Sequence, residues 1–79
     1  MVKIFDIKKT DNKISCSYTP ETSSLKGFVE VDAKTQEVTN VEYSKYEYGK
    51  KMYIAHVRSK LAELLTASKI PKEIIVNWY

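Results

Sequence analysis

The stretch GKKMYIAHVRSKLAELLTAS, Gly49 to Ser68, decides the fold. It is the one segment with sustained helical periodicity, and everything before and after it reads as strand. With Ile54 as reference and about 100° per residue, Val57, Leu61, Leu64, Leu65 and Ser68 fall on one stripe. Glu63 and His56 fall on the far side, with Ser59 and Lys60 nearer it than the stripe. The pattern is an amphipathic helix with a single buried face, which needs a sheet to lie on. Ser44 or Gly49 is placed to cap its start. The helix is expected to end near Ser68–Lys69, ahead of Pro71, with Lys69 suiting the negative end of its dipole.

Outward from the helix, the preceding chain splits into two hairpins. Val2 to Lys9 and Lys13 to Thr19 flank Asp11-Asn12, residues that tolerate a tight primed turn. A two-residue loop sets Thr10 against Lys13, Ile7 against Cys16 and Phe5 against Tyr18. One side then collects Phe5, Ile7, Ile14, Cys16 and Tyr18, and the other Ile4, Asp6, Lys8, Ser15 and Ser17. Thr19 to Lys26 is polar, contains proline, lacks a period and reads as a loop. Gly27 to Asp32 and Glu37 to Lys45 form the second hairpin. Pairing Asp32 with Glu37 would set Val29 against Asn40, an odd core neighbour. A β-bulge near Thr39-Asn40 removes the conflict by bringing Val41 and Tyr43 onto the valine side. The reverse side of that hairpin then carries Phe28, Glu30 and Asp32. After the helix, Glu73 to Tyr79 reads as a last strand, and its Ile74-Ile75-Val76 run favours an interior position. The expectation is a single α+β domain over residues 1–79, in ββββαβ order. It has a mixed, mostly antiparallel sheet of about five strands with one amphipathic helix packed on one face.

Seventy-nine residues give one modest core, near the size at which a single core is marginal. The hydrophobic share of 43% and charged share of 29% are those of an ordinary globular chain. No apolar run nears the roughly 18 residues a membrane span needs. The start, with charges at Lys3 and Asp6, does not read as a signal peptide. A lone cysteine, Cys16, forms no internal disulfide and suits a reducing cytoplasm. The net charge of +3, from 13 basic and 10 acidic residues, is a mild surplus. In size and make-up the chain resembles the general run of short bacterial proteins, with no motif that singles out a family.

Motifs that carry chemistry are almost wholly missing. There is no Gly-rich phosphate loop, Cys-x-x-Cys pair, histidine pair at ligand spacing or Gly-x-Ser-x-Gly. One histidine and one cysteine leave no His/Cys metal site to assemble within a chain. His56 reads as a solvated surface side chain, and Cys16 as a small buried hydrophobe. No catalytic residue, metal ligand or cofactor is expected.

Tyr43, Tyr46, Tyr48 and Tyr53 crowd the strand-to-helix junction, with Lys45, Lys50, Lys51 and Arg58 interleaved. Aromatic platforms beside cations suit single-stranded nucleic acid, but Glu42 and Glu47 in the same stretch repel phosphate. Geometry weighs more. Five strands about 4.8 Å apart make a sheet roughly 20 Å across, while one helix covers about 10 Å. The uncovered apolar surface calls for a second subunit or a partner protein. The expected function is a small non-catalytic protein-interaction domain, a homodimer through sheet surface or edge. Its binding residues are Phe28, Tyr46, Tyr48, Tyr53 and Trp78. The alternative is a weak nucleic-acid binder using Lys45, Lys50, Lys51 and Arg58. No membrane partner is expected.

Overall fold

The computed structural model describes residues 1–47 and 52–77. Its elements run β1 (Val2–Lys9), β2 (Lys13–Pro20), β3 (Gly27–Asp32), β4 (Val38–Glu42), a 3-10 turn (Lys45–Glu47), α1 (Met52–Leu64) and β5 (Glu73–Val76). The strands form one sheet in the order β4-β3-β2-β1-β5. All four pairings are antiparallel, so the sheet is not mixed. The segment carrying α1 joins two opposite edge strands, and no parallel neighbours arise.

The sheet buries one face under α1, which crosses β1, β2 and β3. Val2, Ile4, Ile14, Cys16, Tyr18, Val29 and Val31 meet Ile54, Val57, Leu61 and Leu64 there. The helical stripe is therefore core, and each of its buried aliphatic side chains contributes roughly 1.5–3 kcal/mol. Cys16 is fully buried, as its alternation with Ile14 and Tyr18 implies.

In the first hairpin the turn-proximal register is as read: Thr10 N–H donates to Lys13 O at 2.8 Å, and Lys8 faces Ser15. It then slips by one. Asp6 adopts a left-handed φ of 51°, and the pairing shifts between Phe5 and Lys8. A β-bulge of this kind sets two residues, Asp6 and Ile7, against one. Ile4 therefore faces Tyr18, and Phe5 faces Ser17. Val2 and Ile4 enter the core, while Phe5 moves to the helix-free face, against the uniform register expected.

The second hairpin carries its bulge where Asn40 demanded one. Val31 faces Val38, Glu30 faces Asn40 and Val29 faces Val41, with Thr39 as the extra residue. Val41 sits on the valine side. Tyr43, beyond the strand end, is 43% exposed.

Three boundaries differ from expectation. β2 runs one residue past the expected Thr19, through the buried Pro20, before the chain turns at Glu21, where φ is 53°. β5 is an edge strand: Ile74 and Val76 are half-buried on the helix side, while Ile75 points the other way and is 55% exposed. Finally, α1 ends at Leu64 and tightens through Thr66 N–H to Glu63 O at 3.3 Å and Ala67 N–H to Leu64 O at 3.2 Å. The cation at that end is Lys9, whose Nζ donates to Leu65 O at 2.8 Å; Lys69 is exposed. A lysine from a neighbouring strand satisfies the last carbonyls better than one already past the helix.

Candidate interaction surfaces

The strand-to-helix junction is held by buried polar groups. The Tyr18 hydroxyl donates to Glu47, and the other Glu47 oxygen accepts Ile54 N–H at 3.0 Å. Glu47 is only 3% exposed, and it caps the first turn of α1 from the preceding 3-10 turn. Ser44 caps that 3-10 turn instead of α1: its Oγ accepts Tyr46 N–H at 3.2 Å and donates to Leu25 O at 2.6 Å. Its own N–H donates to Tyr18 Oη at 3.0 Å. Burial first, and the Glu47 carboxylate next, hold the Tyr18 hydroxyl well above its ordinary pKa. Glu47, read from the sequence as a carboxylate that repels phosphate, is thus an internal fastening.

Of the junction aromatics, Tyr46 and Tyr53 meet edge-to-face with centroids 5.7 Å apart and planes at 68°. Both are half-buried, and the Tyr53 hydroxyl bonds to Glu21, whose Oε2 also holds the Met1 ammonium at 2.8 Å. These two rings are engaged with each other and with the end of β2. Lys45 is exposed beside them, while Arg58 lies about one and a half turns further along α1. Tyr48, Lys50, Lys51 and Trp78 lie outside the described residues. His56 is half-buried, not the fully solvated side chain expected.

Phe28 is elsewhere, on the helix-free face of the sheet. Register lays that face out in rows. One row reads Glu42, Phe28, Ser17, Phe5, Glu73 from β4 to β5. The next reads Asn40, Glu30, Ser15, Lys8. Phe5 and Phe28 are half-buried and flank Ser17. Lys3 and Lys26 lie over the Phe5 ring at 5.9 and 5.5 Å from its centroid, within cation–π reach. Charge is unevenly spread: β1 contributes Lys3 and Lys8, whereas β3 and β4 contribute Glu30, Asp32 and Glu42, with Lys13 at the start of β2 paired to Glu30 at 3.3 Å on the exposed surface. Glu73 interrupts the basic half and is tied to Lys3 at 3.5 Å. A shallow cleft of ≈ 520 Å³ opens at the Phe5 corner between Lys3, Asp6, Thr22 and Lys72, with charges of both signs.

On the helix side, β4 is left uncovered. A groove of ≈ 380 Å³ runs between it and α1, floored by Val38 and Val41 and walled by Ala55 and Arg58. A second hollow of ≈ 290 Å³ continues it past Gln36 to Ala62. Sequence reading missed both this groove and Phe5. The groove needed the strand order, which puts β4 at an edge, and Phe5 needed the bulge at Asp6.

Of the residues named from sequence that the structure describes, Tyr46, Tyr53 and Lys45 are at the junction, Phe28 is on the open face and Arg58 is at the groove. Among the described residues, no three His, Cys, Asp or Glu side chains gather as a metal site, and no helix is long and apolar enough to cross a membrane. Comparison with protein-family models, curated proteins and solved structures gives no match.

Proposed function

We propose that this domain is a non-catalytic protein-interaction module of the cytoplasm that self-associates through the helix-free face of its sheet. One observation carries the reading: the rows of that face are complementary to themselves. β2 is the central strand, and Ser15 and Ser17 on it are small. A two-fold axis along β2 stacks two copies face to face and exchanges left for right. Phe5 then lies on the partner's Phe28, and Lys8 on the partner's Glu30, twice each, as an isologous contact requires. Packed sheets sit about 10 Å apart, a distance that small central residues permit. The same operation brings Glu42 toward the partner's Glu73 at the rim, where Lys3 already compensates the charge.

The face measures about 24 by 17 Å from strand spacing and rise, so roughly 800 Å² is buried in total. That is the size of a weak, transient interface. Sedimentation velocity from about 10 to 500 µM tests it. The weight-average mass should climb from 9.1 kDa toward twice that value, and Phe28→Asp should abolish the climb. A constant 9.1 kDa across the range would remove the reading.

A further inference from the structure

The groove between β4 and α1 lies on the other side of the sheet, and the dimer leaves it free. Three of its features bear on what fits it. First, β4 is an edge strand with β3 as its single neighbour, so one row of its backbone N–H and C=O groups faces outward, interrupted at the Thr39 bulge. Second, the floor is apolar: Val38 and Val41 are half-buried beneath it, with Tyr43 exposed at one end. Third, the Arg58 guanidinium stands exposed at the wall of both hollows and has no carboxylate partner among the described residues. Glu37 lies at the far end of the floor and discourages a second anion there.

We infer that this groove binds an extended peptide segment of a partner protein, added to β4 as a sixth strand, with a carboxylate side chain on Arg58 and branched apolar side chains over Val38 and Val41. Main-chain pairing gives such a mode its affinity, and the pockets for alternate side chains give it selectivity. The five residues of β4 match a segment of about five or six residues at about 3.3 Å each. Arg58 fixes the register of the peptide because a guanidinium takes a carboxylate through two parallel hydrogen bonds. Glu37 fixes its direction, since an acid opposite it is repelled.

Random heptapeptides displayed on phage, selected against the intact protein, test this. Enriched sequences should carry one Asp or Glu flanked at alternate positions by Val, Ile or Leu. A synthetic peptide of the enriched sequence should perturb the amide resonances of Val38 to Tyr43 and of Ala55 to Ala62. Arg58→Glu should weaken it by about tenfold or more, because a like charge replaces the pair. Ala55→Phe, which fills the groove from an exposed helix position, should weaken it comparably. Phe28→Asp should leave it unchanged, so loss of the dimer and loss of peptide binding are read separately. No enrichment, or enriched peptides that bind Arg58→Glu and Ala55→Phe as tightly as the parent, would overturn the assignment.

Discussion

The Tyr18 hydroxyl donates to the buried Glu47 carboxylate, joining the central strand to the residue that caps α1. Neither side chain is near the other in sequence, yet each satisfies groups that burial would otherwise orphan. Tyr18→Phe removes one of Glu47's two donors and leaves Ser44 N–H without its acceptor, a cost of about 1–3 kcal/mol. Glu47→Ala costs more, since Ile54 N–H and the Tyr18 hydroxyl both lose their partner. In thermal melts, each kcal/mol lowers Tm by about 4–8 °C for a domain of this size. A Tyr18→Phe protein melting with the parent would show that this link is not structural.

Alkaline pH attacks the same core. Burial pushes the Cys16 thiol up from 9.0 to about 12, and burial with Glu47 raises Tyr18 above 10.0. Both groups thus keep their protons in the folded state after the unfolded chain has lost them. Above pH 9 the unfolded state binds fewer protons, so unfolding free energy falls as pH rises. Their contribution is intact below pH 9 and is lost as pH climbs toward 12. Urea midpoints should be level from about pH 7 to 8.5 and fall above about 9.5. At about pH 8 a thiol-reactive disulfide reagent should modify Cys16 only through opening of the fold, because the thiol is buried and the thiolate is the reactive form.

Gly27 faces Tyr18 across β2 and β3, and a Cβ there would meet the ring at 2.3 Å from Cε1 and 2.7 Å from Oη. The ring is fully buried and cannot move aside without leaving Glu47. Gly27→Ala should therefore destabilise by about 2–4 kcal/mol, the sum of overpacking and a disturbed buried hydrogen bond. A calorimetric melt within about 2 °C of the parent would contradict the tight approach.

Asp6 holds the bulge that puts Ile4 inside and Phe5 outside. A β-branched residue is strained at a left-handed φ, and glycine adopts it freely. Asp6→Val should cost about 1–2 kcal/mol, while Asp6→Gly should cost nothing or stabilise slightly. Equilibrium denaturation of the pair measures the difference, and equal stabilities would mean the bulge carries no strain.

Helix, strands and the second bulge were legible because each left a conflict or a period in the sequence. Asn40 opposite Val29 could not stand, so the irregularity announced itself. At Asp6 no such signal existed. Phe5 with Ile7 and Val2 with Ile4 both offer an apolar alternation, and only long-range packing under α1 chooses Val2, Ile4 and Ile7. Ile74-Ile75-Val76 misled in the same way, since an edge strand with Ile75 on an open face has the apolar run of an interior one. The Tyr18–Glu47 link spans 29 residues and had no local trace. The open face was expected to need a cover, but its matching rows depend on register, which the Asp6 bulge reset.

Exchange of charges across the dimer gives the most direct test. Lys8→Glu alone sets a carboxylate against the partner's Glu30, and Glu30→Lys alone sets Lys8 against a second ammonium. Each protein should therefore sediment as a monomer at about 200 µM. Mixed in equal amounts, the two should form a heterodimer, because both contacts then pair opposite charges. Two monomers that stay apart on mixing, or single variants that dimerise as the parent does, would contradict the face-to-face assembly.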